Sequence, residues 1–255
     1  MLNVAATLVR GGFEAYLVGG CVRDLLRGAV HGERVEPKDW DLATNAKPHE
    51  VQALFPDSVY ENEFGTVGVK TRSEELRLAV VEVTTYRVDG VYRDHRHPDE
   101  VSFASRVEDD LARRDFTVNA MALAPDGERV IDPFDGRMDL EEKLIRAVGN
   151  PSLRFREDAL RLMRAVRLAT ELGFTIEPST AASILAEAHL LHEIAPERVR
   201  DELVKLLMTP RAADGIRMLE AHGLLAHVIP ELREGIGCGQ NLHHIYTVFD
   251  HNVRA

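Results

Sequence analysis

The chain has 255 residues, 45% hydrophobic and 29% charged, which allows a sizeable core in one or two domains and excludes a disordered or low-complexity chain. No apolar run approaches the roughly 18–20 residues that span a bilayer, and Met1 to Ala6 lack the basic start and apolar core of a secretory signal. Cys21 and Cys238 are far apart and make no metal-ligand spacing, as in a cytoplasmic protein with reduced thiols, while a net charge of −11 leaves room only for a local basic stripe, not a generally basic surface.

The first part of the chain reads as mixed α/β. A helix over Leu2–Arg10 precedes a strand at Ala15–Val18 that runs into Gly19-Gly20. Residues 22–26 read as a helical turn ended by Gly28, and 29–37 as a polar loop. A strand at 40–43, a helix at Pro48–Leu54, and strands at Thr66–Lys70 and 76–85 follow. Residues 87–98 are polar, with several Arg, His and Asp, and read as a mobile loop. From about residue 140 the pattern turns helical: 153–172, stopped by Gly173, then 180–189, Pro196–Leu207, 212–222 and 247–255. The expected architecture is α+β, with a catalytic head over 1–138, a helical neck over 139–207 and a helical body over 208–255. The last helix is still open at Ala255, so a longer natural protein is expected.

Chemistry begins at Lys38-Asp39-Trp40-Asp41-Leu42. Alternate residues of a strand share a face, so Asp39 and Asp41 point one way and Trp40 and Leu42 the other. Neighbouring carboxylates repel unless a cation neutralises them, and a hard divalent ion such as Mg²⁺ prefers such oxygens. Alone, such a pair is more often a solvated acidic turn than a metal site. Upstream, Leu17-Val18-Gly19-Gly20-Cys21-Val22-Arg23 places a strand, a Gly pair and a helix start in order. Such a turn lets backbone N–H groups approach a phosphate, and Arg23 can clamp it. Together the two segments resemble the active-site architecture of polymerase β-type nucleotidyltransferases.

Further along, Glu82 interrupts the β-branched run Val81-Glu82-Val83-Thr84-Thr85. Burying an acid there costs free energy without a partner, so it is either a third carboxylate near the metals or a Glu on the wet face of the sheet. Arg113-Arg114-Asp115-Phe116-Thr117-Val118-Asn119-Ala120 resembles the RRDFTxNA element of class II tRNA nucleotidyltransferases and bacterial poly(A) polymerases. Glu157-Asp158-Ala159-Leu160-Arg161-Leu162-Met163-Arg164-Ala165-Val166-Arg167 resembles their EDxxRxxRAxR element. At about 100° per residue a continuous helix puts Arg161, Arg164 and Arg167 on one side and Leu162, Met163 and Val166 on the other. Asp158 accepts and Arg161, three residues on, donates. Cytosine and adenine offer an amino donor beside a ring-nitrogen acceptor, which this pair matches. Guanine and uracil offer the reverse.

The resemblance runs from about Tyr16 to Leu207. It implies that Gly19, Gly20 and Arg23 bind the incoming nucleotide, that Asp39 and Asp41 hold two Mg²⁺ ions, and that Arg114 contacts the triphosphate. Asp158 and Arg161 would read the base, with Arg164 and Arg167 supporting the nucleotide. Trp40 stands where the family often has an aliphatic residue, and altered packing is the expected consequence. The implied substrates are CTP, ATP and the 3′ end of tRNA. Phe64-Gly65-Thr66-Val67 looks like the tRNA-acting members, and the loop with Tyr92, Asp94, His95 and Arg96 favours CCA or A addition over CC alone. Poly(A) synthesis, a non-catalytic RNA-binding fragment and transfer to a small molecule are the competing readings; the last lacks the 158–167 element. Gln240 to His251 resembles the opening of an HD phosphohydrolase domain, but the sequence has no His-Asp doublet, so hydrolysis is not expected.

Overall fold

A computed structural model describes residues 1–32, 35–60, 65–90, 101–240 and 245–255. They fall into two compact units, one running to Glu142 and the other from Lys143 to Ala255. Among them, no helix is long and apolar enough to cross a membrane.

The first unit contains α1 (Leu2–Arg10), β1 (Ala15–Val18), α2 (Gly20–His31), β2 (Asp41–Thr44), α3 (Pro48–Leu54), β3 (Ser58–Tyr60) and β4 (Thr66–Lys70). After these come α4 (Leu76–Ala79), β5 (Val80–Thr85), β6 (Arg87–Asp89), β7 (Val101–Phe103), α5 (Val107–Ala112), β8 (Ala122–Leu123), β9 (Val130–Ile131) and α6 (Gly136–Glu141). Seven of the described strands form one sheet in the order β3-β4-β5-β2-β1-β8-β9, in which β2 and β5 are parallel and the other neighbours antiparallel.

Register decides what each face carries. Leu123, Leu17, Leu42, Val83 and Val67 lie side by side across five strands, all buried. They pack with Val4, Ala5 and Leu8 of α1, Val22 of α2 and Val51 of α3 in one apolar cluster. One residue along, the row reads Ala122, Val18, Asp41, Glu82 and Gly68. Because side chains alternate along a strand, this second row belongs to the opposite face. Polar chemistry is thereby confined to one side of the sheet.

Three expectations change here. Strand β2 starts at Asp41 rather than residue 40, because its partner β1 ends at Val18, opposite Asp41, where Gly19 turns away with φ 76°. Helix α2 runs through Gly28 to His31 and stops at Gly32, whose φ of 67° is left-handed. Gly inside a helix costs only about 1 kcal/mol, whereas a left-handed residue ends it. The segment 76–85 is split: Leu-Arg-Leu-Ala takes a helical turn and the β-branched run from Val80 takes the strand. Within the polar stretch 87–98, Arg87–Asp89 pairs with Val101–Phe103 as a two-stranded ladder. Phe64, Tyr92, Asp94, His95, Arg96, His243 and His244 lie outside the described residues.

The second unit contains β10 (Leu144–Ile145), α7 (Pro151–Glu157), α8 (Leu160–Leu172), β11 (Thr175–Ile176), α9 (Pro178–Glu187), α10 (Pro196–Leu207), α11 (Ala212–Ala221), α12 (Leu225–Val228), α13 (Pro230–Arg233) and α14 (Val248–Arg254). α8 is its centre, packed by α10 and α11, while α7 packs on α9. The continuous helix expected over 153–172 is broken at Asp158, which is extended at φ −143° and ψ 102°. Its own side chain explains the break: Oδ1 accepts the Leu160 N–H at 3.1 Å, an Asx-type bond that competes with helix continuation and starts α8. The helical wheel that set Asp158 and Arg161 on adjacent faces of one helix therefore fails.

Candidate active site

In the first unit the site is built around Gly19. Its backbone, at φ 76° and ψ −141°, is a conformation that side chains rarely adopt. A Cβ there would lie 3.1 Å from Arg114 Nη1 and 3.4 Å from Asp41 Oδ2. The turn, the acid and the cation thus meet at one point, from segments widely separated in sequence. A Cβ on Gly20 would lie 3.7 Å from Arg23 Nη2.

Asp39 is exposed in the bend before β2, and Trp40 packs against the apolar cluster as the alternation predicts. Burial pushes the Asp41 carboxyl above its ordinary value; Arg114 pulls it back and the charge of Asp39 adds to the rise. Glu82 is exposed and sits beside Asp41 in the parallel β2–β5 register. Among the described residues, no group of three or more His, Cys, Asp or Glu is placed to hold a metal. Asp39 and Asp41 are close enough for the charge of one to act on the other, and Glu82 stands next to Asp41 in the sheet. Two acids sharing a site, one unsettled by burial and by the other's charge, suit a hard divalent ion that also takes phosphate and water oxygens.

Each arginine is held by side-chain partners of its own. Asp110 is 1% exposed; it accepts Arg113 Nη2 at 2.7 Å and Arg114 Nη2 at 3.0 Å. Burial acts to raise its pKa, but Arg114 and Arg113 outweigh that and hold the carboxyl below its ordinary value. Arg114 Nε is buried with no hydrogen-bond partner among the described residues. Arg23, 9% exposed, donates Nη1 to Asn119 Oδ1 and Nε to Asp24 Oδ1, both at 2.9 Å. Asn119 in turn donates to Asp115 Oδ1, which also accepts the Phe116 N–H. The spacing of Asp110, three and four residues before the two arginines, is a helical pairing signal. The contact between Arg23 and Asn119, 96 residues apart, leaves none. Cys21 donates its thiol to Val18 O, and burial pushes its pKa up to about 11, which disfavours the thiolate near neutrality.

Asp110→Asn is expected to cost about 1–3 kcal/mol, because the arginines keep some contact with water and lose a charged acceptor. A depressed carboxyl stabilises the fold above its unfolded pKa, and that contribution goes as pH falls through the folded value. The melting-temperature gap between wild type and variant should therefore persist through mildly acidic pH and close only below the ordinary carboxylate range. The same melts should be accompanied by weaker triphosphate binding.

In the second unit, Arg161 donates Nη1 to Glu157 Oε2 at 2.6 Å and to Arg154 O at 2.9 Å. Asp158 is paired with Arg198. Arg167 ties α8 to α10, its Nε 2.6 Å from Glu202 Oε2 and its Nη1 2.9 Å from Glu171 Oε2. Glu202, 3% exposed, also accepts Lys205 and feels the charge of Arg164. The arginine row is not a solvated face: Arg161 is buried and Arg164 and Arg167 are half-buried.

Residues 15–146, about half of the chain, match the family described as poly A polymerase head domain, and residues 173–236 match one described as a probable RNA and SrmB-binding site of polymerase A. The CCA-adding enzyme of Geobacillus thermodenitrificans is 46% identical over 91% of this chain and 55% of its own length. That of Limosilactobacillus reuteri is 46% identical over 87% of this chain and 52% of its own. The chain spans about half the length of these curated relatives. Among solved structures, the Bacillus stearothermophilus CCA-adding enzyme in complex with CTP superposes with a TM-score of 0.77 at 42% identity, covering 88% of this chain and 51% of that one. A tRNA nucleotidyltransferase complexed with a primer tRNA and an incoming ATP analog gives 0.71 at 29% identity, covering 93% and 64%.

Proposed function

The chain belongs to the family of tRNA nucleotidyltransferases and bacterial poly(A) polymerases, and on that footing we propose that it adds C and A to the 3′ end of tRNA from CTP and ATP, releasing pyrophosphate. One observation carries the reading: Arg114 Nη1 and Asp41 Oδ2 converge on the Cβ-less face of Gly19. A triphosphate needs such a set, in which backbone approaches closely, a guanidinium meets phosphate charge and a carboxylate holds the cation that accompanies it.

In this mechanism Asp39 and Asp41 hold the divalent ions, taken as Mg²⁺. When bound, such an ion lowers the pKa of the attacking 3′-hydroxyl and neutralises the leaving pyrophosphate. Gly19 and Gly20 let the backbone at the start of α2 approach the phosphates, where the helix N-terminus favours negative charge. Arg114, braced by Asp110, and Arg23, braced by Asn119 and Asp24, supply fixed positive charge. Catalysis of this kind is positioning and charge stabilisation, and it asks for no protein nucleophile. Asp158 and Arg161 select the base, Arg164 and Arg167 support the nucleotide, and Glu82 assists beside Asp41. The head spans 1–138, the neck 139–207 and the body 208–255, and the protein acts in the cytoplasm.

The test supplies the protein with tRNAs ending before CCA and after CC, and with a generic RNA, each with single NTPs and Mg²⁺. Incorporation of CMP, then AMP, on tRNA alone is expected. Long A tails on the generic RNA would replace this reading with poly(A) synthesis, and no incorporation of any nucleotide would sink it.

A further inference from the structure

Asp158 holds its place through two neighbours. Leu160 N–H binds Oδ1 at 3.1 Å, and Arg198 Nη2 reaches both oxygens, 3.1 Å to Oδ2 and 3.4 Å to Oδ1. Arg198 stands in the first turn of α10, 40 residues away. The pair is largely shielded, with 24% of the Arg198 side chain and 17% of the Asp158 side chain exposed. Among the described residues, Asp158 is the one hydrogen-bond partner of the Arg198 guanidinium, whose Nη1 is buried without any. A guanidinium carried into a shielded place for a single acceptor is there for that acceptor.

The consequence lies in how a carboxylate reads a base. A freely turning Asp can swing its acceptors away from a ligand, and selectivity between an amino group and a carbonyl fades with the swing. Here the backbone is extended, one oxygen is tied to α8, and both are tied to α10. Arg161 does not share in this: its Nη1 goes to Glu157 and the Arg154 carbonyl.

We infer that Arg198 is a positioning residue for nucleotide choice. Through Asp158 it fixes the acceptor that the amino group of C or A meets and that the carbonyl of G or U opposes. The inference rests on the proposed role of Asp158 in selecting the base.

Arg198→Met keeps the apolar stem and removes the donors, and Arg198→Lys keeps the charge and some donor capacity. The full chain carrying each, along with Asp158→Ala and the Arg198→Met/Asp158→Ala double variant, is assayed for kcat and KM with each of the four NTPs on tRNA, with thermal melts alongside. Arg198→Met is expected to cut the CTP-over-UTP preference roughly tenfold, a decade per 1.4 kcal/mol and within the scale of one base-edge contact. The loss should fall on KM for CTP and ATP, Lys should restore part of it, and the double variant should lose no more than Asp158→Ala alone. An equal loss for all four nucleotides, or a wild-type preference in Arg198→Met while Asp158→Ala loses it, would overturn the positioning role. A wild-type preference in Asp158→Ala would instead overturn the base-selecting role of Asp158, and this inference with it.

Discussion

Asp41→Asn is expected to lower kcat for nucleotide addition by on the order of a thousandfold, the loss of several kcal/mol of charge stabilisation at the reacting phosphate. The fold should survive. Asp41 starts β2 on the polar face of the sheet, and an amide of the same shape removes both its burial cost and its repulsion with Asp39. A carboxyl raised by burial and a like charge weakens the fold when ionised, so the variant's melting temperature should hold or rise in the absence of divalent ions. Added Mg²⁺ should stabilise the wild type, because a ligand that binds only the folded state shifts its melting upward, and should do so much less for the variant. Incorporation assays and melts with and without Mg²⁺ check the two halves independently. Near-normal incorporation by purified Asp41→Asn would remove the assignment on which the chemistry depends.

Gly19→Ala should be nearly as damaging, for a different reason. A non-glycine backbone at φ 76° and ψ −141° costs of order 1–3 kcal/mol. The new methyl also stands 3.1 Å from Arg114 Nη1 and 3.4 Å from Asp41 Oδ2, where a phosphate must come close to the chain. We expect kcat/KM for CTP to fall by about a hundredfold, as a misplacement of about 1 Å does in a positioned site. Gly12→Ala separates the two effects: its φ is 87°, but a Cβ there meets nothing within 4 Å. That variant should lose comparable stability and keep its activity. Equal activity loss in both would show that Gly19 matters for folding alone.

Much of the head is readable from sequence because its signals are local. The order of strand, glycine pair and acidic strand marks the segments that the proposed phosphate site draws on, and two-residue alternation alone sets Asp41 on the face opposite Leu42. The amphipathic helix Leu2–Arg10 and the strands Ala15–Val18 and Thr66–Lys70 fall where periodicity puts them. Local reasoning fails where a side chain outbids the period. Asp158 lies in a stretch with good helical spacing, and its own carboxylate ends one helix and starts the next. At Gly28 the failure is the opposite one: composition says stop and the helix continues.

What the sequence by itself determined is the set of parts: glycines that permit close approach, acids suited to a hard cation, arginines suited to phosphate, and alternation that keeps them off the core. Tertiary structure decided which parts answer to which. Arg114 meets Gly19 and Asp41, Arg23 leans on Asn119, and Asp158 is held by Arg198. Any carboxylate can pair with any guanidinium on paper, since the charges carry no address. Only the register of the sheet and the packing of helices around α8 bring a particular pair within about 3 Å, where a charge-assisted hydrogen bond forms.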